Sequence, residues 1–164
     1  MAHQAGSAAD LERLMEEYGT GLLRLCALQL GDAALAEDAA QETLLRAWRR
    51  YGTFRGEAAE RTWITAIALN VCRDLLRSPW HTRRMELSAL AEPSAEDAPW
   101  DDTPLRAVLS LPRKYREVVL LRYYAEFTLE EIADTLGIAP GTVSARLTQA
   151  KRKLRPMLEE WYYD

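Results

Sequence analysis

The sequence predicts an all-α protein: two small helical domains joined by a flexible acidic linker, the C-terminal one a helix-turn-helix. Three observations predict it. Apolar residues recur at three- and four-residue spacing through the segments that lie between turn signals. The composition shifts to proline, alanine and acids from Glu86 to Pro104. The stretch Thr128–Arg155 reads as a capped helix, a tight turn and a second helix with a polar and basic outer face.

Residues 1 to 6 read as a loose terminus. Ser7 and Asp10 are placed to cap a helix carrying Leu11, Leu14, Met15 and Tyr18. Gly19 and Gly21 weaken it locally, and the pattern resumes at Leu22, Leu25, Cys26 and Leu28 before stopping at Gly31. A second helix is expected from about Asp32 to Tyr51, with Leu35, Ala39, Leu44, Ala47, Trp48 and Tyr51 toward a core. Its other faces carry charges at helical spacing, such as Glu42 and Arg46, which suits a solvated surface. Gly52–Glu57 reads as a loop with an exposed aromatic, Phe54. A third helix is expected from about Ala58 to Arg77, built on Trp63, Ile64, Ile67, Ala68, Val71, Leu75 and Leu76, with Asn70 among apolar neighbours and Ser78-Pro79 as its end.

The linker AEPSAEDAPWDDTP follows. Residues 86–104, fully extended, reach roughly 60 Å at about 3.3 Å each. Trp100 within it is either a docking point on a neighbouring domain or a partner contact. The second unit begins at Leu105, with a helix from about Tyr115 to Tyr124 behind the helix-turn-helix. Thr128 and Glu131 form a capping box, Gly137 supplies the stop, and Pro140 fits the first turn of the last helix. At about 100° per residue, Val143, Leu147, Ala150 and Leu154 share one face of that helix. Ser144, Ala145, Thr148, Gln149 and Arg152 share the opposite one. Arg146, Lys151, Arg152, Lys153 and Arg155 crowd the segment and no acid lies between Pro140 and Arg155. Cations also suit a helix C-terminus, but a cluster of this density fits phosphate contacts. The tail Trp161-Tyr162-Tyr163 is expected to cover apolar surface at the end of this helix.

Composition narrows the function classes. The chain has 164 residues, 48% of them hydrophobic, enough for one domain or two small ones. The net charge of −4 averages a basic C-terminal helix with the acidic linker, and predicts weak DNA affinity for the free protein. Cys26 and Cys72 lie in apolar helical patterns and read as small buried hydrophobes rather than as a disulfide or metal pair. His3 and His81 have no metal-ligand spacing, and no catalytic Ser/His/Asp set or phosphate-cradling Gly loop occurs, so neither a metal, a cofactor, a small-molecule substrate nor an enzymatic role is expected. No apolar run reaches the length of a membrane span and no secretory signal is evident, which makes the cytoplasm the expected compartment, without direct membrane insertion.

With these elements in place the chain resembles a bacterial RNA polymerase sigma factor of the extracytoplasmic-function (ECF) class, over about residues 8 to 156. AEDAAQETLLRAW (Ala36–Trp48) resembles the family's core-polymerase-binding helix. FRGEAAERTWITAIALNVCRDLLR (Phe54–Arg77) resembles its promoter-melting segment. The sequence from Leu111 to Arg155 resembles its minus-35-reading domain. The resemblance implies domain 2 over residues 7–85, a linker over 86–104 and domain 4 over 105–160. It implies that Asp38, Gln41, Glu42, Leu45 and Arg46 lie against core RNA polymerase, in place of the solvated face that spacing alone suggests. It implies that Phe54, Arg55, Gly56, Glu57 and Asn70 hold a flipped minus-10 base, an aromatic beside an amide being suited to stacking and edge recognition. Thr142, Ser144, Ala145, Arg146, Thr148, Gln149 and Arg152 are then the minus-35 set on promoter DNA. An anti-sigma factor is a further implied partner. Ser144, Ala145 and Gln149 stand where many relatives carry basic residues or serine, and Ala139 where a capping serine is common, departures that bear on which promoter is read. The rival reading is a stand-alone helix-turn-helix regulator, which explains neither the clamp-like helix nor the linker.

Overall fold

The computed structural model describes residues 4–54, 56, 59–79, 83 and 103–163, with side chains at all of these except 103 and 160–163. Helix α1, Ala8–Leu30, begins with a reciprocal capping box: Ser7 Oγ accepts from the Asp10 N–H at 3.2 Å, and the Asp10 carboxylate accepts from the Ser7 N–H at 2.8 Å. It runs unbroken through Gly19 and Gly21, because Leu14, Leu22, Cys26 and Leu30 hold one buried stripe across them. Gly31 closes it at φ 68°. Helix α2, Ala33–Arg49, is capped by Asp32, whose carboxylate accepts from the Leu35 N–H at 3.0 Å. It ends short of Tyr51, which lies in a 3-10 turn, Tyr51–Thr53. Helix α3 is Glu60–Arg77, starting two residues later than the apolar pattern suggests and ending before Ser78-Pro79.

These three helices enclose one core of Leu14, Leu35, Ala36, Ala39, Ala47, Ile64, Ala68 and the two cysteines. Cys26 and Cys72 are free, fully buried thiols that face each other, as small hydrophobes would. The thiol–thiol contact, together with burial, pushes the Cys72 pKa up strongly.

The second unit opens with α4, Thr103–Ser110, two residues before Leu105. Helix α5 is Arg113–Val119, and the expected helix from Tyr115 to Tyr124 changes winding midway. Leu120–Tyr124 forms a π turn that ends at Ala125, and the Phe127 N–H donates to the Leu121 carbonyl at 2.9 Å. Glu126 adopts φ 58°, and together the wide turn and this left-handed residue carry Phe127 into the core, where it is 1% exposed. Helix α6, Leu129–Leu136, has the expected capping box of Thr128 and Glu131. Helix α7, Pro140–Tyr163, passes through Arg155 and contains Pro156. The backbone of the Trp161–Tyr163 tail is its last turn, and the ring contacts expected of that tail lie outside the described residues, as do Trp100 and most of the linker.

Gly137 is the stop between α6 and α7 at φ 67°, and a side chain there would meet nothing within 4 Å. The space is free and only the backbone conformation demands glycine. Gly137→Ala is therefore expected to destabilise the C-terminal unit by about 1–2 kcal/mol, read as a lower thermal midpoint, with no change in the fold by circular dichroism.

Candidate functional sites

Helix α2 carries the first set. Leu35, Ala39, Thr43 and Ala47 are buried, which turns Asp38, Gln41 and Leu45 outward and leaves Glu42 and Arg46 half-exposed. Leu45 is an exposed large hydrophobe between charges. Glu42 pairs with Arg46 at 2.9 Å, as the i,i+4 spacing suggests, and Arg46 reaches Asp74 of α3 at 3.6 Å. Asp38, Glu42, Arg46, Val71, Asp74 and Leu75 line a shallow cavity of about 310 Å³. The face is mostly polar and open, with one exposed large apolar side chain, Leu45.

The second set surrounds the start of α3. Phe54 was expected to be exposed, but it is half-buried: its ring lies 5.1 Å from Trp63, and Trp63 meets the edge of Tyr51 at 6.4 Å. The aromatic stack forms because Trp63 stands off the fully buried stripe of Ile64, Ile67 and Ala68 and offers its face to the loop. Gly56 has φ 72° and nothing within 4 Å of a Cβ. Arg55 and Glu57 lie outside the described residues. Asn70, expected among apolar neighbours, is exposed and accepts from Arg73 at 3.4 Å.

The third set is on α7. Val143, Leu147, Ala150 and Leu154 are 0–9% exposed and face the core. Thr142, Ser144, Ala145, Thr148, Gln149 and Arg152 are exposed, and Arg146 is half-buried on the flank. Lys151 and Lys153 lean over the rings of Tyr123 and Tyr115 at 5.8 and 5.5 Å, which turns those two charges aside from the outward face.

A fourth feature was not legible as a site in the sequence: the two units pack directly on each other. Leu69 of α3 is 2% exposed and completes the core formed by Val118, Leu121, Phe127, Ile132 and Val143. Glu117, 1% exposed, accepts two hydrogen bonds from Arg73 of α3 at 2.9 and 3.0 Å and one from Arg113 at 3.1 Å. Arg61 pairs with Glu131 at 3.0 Å and lies 4.4 Å over the Phe127 ring. Arg116 donates to the Leu109 carbonyl at 3.0 Å, and burial holds its pKa down. The sequence signal for this interface is Leu69, an apolar residue off the core stripe of α3, together with an acid, Glu117, set beside Val118 and Val119.

Glu131 is held below the usual carboxylate value of 4.5, first by the Thr128 N–H and then by Arg61. Its contribution is present above that value and is lost as pH falls through the lowered one, so acid loosens both the α6 cap and this interdomain contact. Among the described residues no helix is long and apolar enough to cross a membrane, and no group of three His, Cys, Asp or Glu is placed to hold a metal ion.

Two families match the sequence: Sigma-70 region 2 over residues 14–82 and Sigma-70, region 4 over residues 105–154. The ECF RNA polymerase sigma factor SigL of Mycobacterium tuberculosis is 35% identical over 165 residues, covering 95% of this chain and 93% of its own length. The ECF RNA polymerase sigma factor SigW of Bacillus subtilis is 28% identical, covering 90% and 88%. In fold, the chain is similar to the sigma factor RpoE solved with the anti-sigma factor NepR from Bartonella quintana, with a TM-score of 0.74, 21% identity and coverage of 93% and 98%. It is also similar to CnrH solved with the cytosolic domain of CnrY, with a TM-score of 0.72, 24% identity and coverage of 94% and 91%. The region 2 match spans the half of the chain that a stand-alone helix-turn-helix regulator leaves without a role. The chain belongs to the ECF RNA polymerase sigma factors, which direct the polymerase to promoters.

Proposed function

We propose that this sigma factor divides its work among the three exposed sets. Residues 7–85 act as the domain that binds core polymerase and opens the minus-10 element, residues 86–104 as the linker, and residues 105–160 as the minus-35 reader. Asp38, Gln41, Glu42, Leu45 and Arg46 meet core polymerase. Phe54, Arg55, Gly56, Glu57 and Asn70 receive a flipped minus-10 base. Thr142, Ser144, Ala145, Thr148, Gln149 and Arg152 enter the major groove at minus-35, and Arg146 meets phosphate. The observation that carries the reading is the phase of α7: its four apolar positions are buried and the opposite face is open to a groove. The protein works in the cytoplasm, beside the polymerase, and contributes binding and positioning without a catalytic group of its own. An anti-sigma factor is the proposed antagonist, in line with the complexes of RpoE with NepR and of CnrH with CnrY.

Core binding is the test that separates this assignment from duplex binding alone. Asp38→Lys and Glu42→Lys are expected to weaken affinity for core polymerase. The thermal midpoint should move little for the exposed Asp38, where the change in stability is about 0.5 kcal/mol or less, and somewhat more for Glu42, which loses its pair with Arg46. Fluorescence titration with core enzyme checks it; unchanged affinity in both variants sinks the assignment of α2. Run-off transcription on a genomic library then identifies the promoters.

A further inference from the structure

Glu60 is the first residue of α3, where a carboxylate is already favoured by the helix dipole and needs no further partner. Its side chain is nevertheless only 18% exposed and accepts four hydrogen bonds. Arg13 donates to both oxygens at 2.8 Å, Tyr18 to one at 2.9 Å and Tyr51 to the other at 3.3 Å. Arg13 also donates to the Tyr51 hydroxyl at 2.9 Å. The Arg13 guanidinium, first of several causes, holds the Glu60 carboxyl below its usual range, and burial beside Glu60 pushes the Tyr18 pKa up. The ends of the Phe54 loop are Tyr51 and Glu60, so one carboxylate joins both ends to each other and to α1. Tyr51 meets the Trp63 ring, and Trp63 in turn meets the Phe54 ring. A second tie holds the entry: the Gly52 N–H donates to the Gln4 carbonyl at 3.0 Å, with no room for a Cβ.

We propose that Glu60, clamped by Arg13, Tyr18 and Tyr51, is a positioning residue for the single-stranded minus-10 base. It holds Tyr51 and the start of α3 in place before DNA arrives, so that the base meets the ready-made aromatic face of Trp63 and Phe54 at a smaller ordering cost. The inference rests on the assignment of the Phe54 loop and Asn70 to the minus-10 strand. Glu60 itself touches no base.

The test uses holoenzyme formed with the full chain and fork-junction DNA that presents the minus-10 element of a promoter selected by that holoenzyme as a single strand. Glu60→Gln keeps the side-chain shape and removes the charge that Arg13 grips. It is expected to lower affinity for the fork about tenfold, with core affinity and binding of a minus-35-only duplex unchanged. Tyr18→Phe removes one hydroxyl from the clamp and leaves the ring in place, so it should show a smaller loss in the same direction even if Glu60→Gln proves poorly folded. Losses of equal size in fork and core binding, or no loss in fork binding for either variant, overturn the proposal in favour of a plain staple between α1 and α3. Phe54→Ala separates the two layers. Unchanged fork affinity there overturns the loop's assignment to DNA and the positioning role with it. A loss in Phe54→Ala with none in Glu60→Gln overturns the positioning role alone.

Discussion

Glu117→Gln is expected to part the two units while leaving each of them folded. Glu117 is a buried acid against Arg73 and Arg113, with Arg116 desolvated beside it. Removing the charge weakens the hydrogen bonds from Arg73 and Arg113, whose side chains keep 24% and 36% of their surface exposed, and leaves the desolvated Arg116 without its counter-charge, which costs about 1.5–3 kcal/mol. That cost is avoided by opening: once α3 and α5 separate, water solvates the freed arginines and a surface glutamine is harmless. The closed-to-open ratio should therefore fall by about one to two powers of ten. A closed chain of this length has a radius of gyration near about 15 Å, and small-angle scattering should show a clear rise in the variant. Loss of helix content at an unchanged radius would mean that Glu117 serves folding of the C-terminal unit instead. The consequence reaches promoter reading. Minus-10 and minus-35 lie about 25 base pairs apart, or roughly 85 Å at 3.4 Å each, whereas Arg61 near the start of α3 and Glu131 of α6 are 3.0 Å apart in the closed chain. Asn70, proposed for the minus-10 base, is itself hydrogen-bonded to the arginine that Glu117 holds. On the proposed assignment of the minus-10 and minus-35 residues, opening is required for both promoter elements to be met at once.

Selection of promoters from a randomised minus-35 library should return a different base at one position for Gln149→Arg. Gln149 is exposed on the outward face of α7, opposite Leu147 and Ala150, and is the one planar amide there. Its geometry suits bidentate pairing to adenine, while arginine suits guanine, and the discrimination is worth about 1–3 kcal/mol. Arg146, half-buried on the flank, is better placed for phosphate. Arg146→Ala should weaken all sequences together and reduce the salt slope by about one unit. A selected motif that stays the same for Gln149→Arg and shifts for Arg146→Ala would contradict the phase of the helix on DNA.

The local elements were decided by the sequence itself, because their causes are local. The Ser7–Asp10 and Thr128–Glu131 boxes, the stops at Gly31 and Gly137, and the apolar stripe of α7 depend on residues within a few positions of each other. The family was legible for the same reason: its motifs are continuous stretches of single helices. Tertiary structure decided what depends on distant residues. Phe54 is half-buried because Trp63, itself against Tyr51, meets it from α3, and Glu60 is a clamp because α1 brings Arg13 and Tyr18 to it. The winding of Leu120–Tyr124 changes because Phe127 must reach a core that no periodicity within the segment describes. Leu69 and Glu117 are buried because the two units close on them from opposite sides. On α3 alone Leu69 is one apolar residue off the stripe, and on α5 alone Glu117 is an ordinary helix acid. Burial between domains comes from the sum of two surfaces, and each segment encodes only its own half.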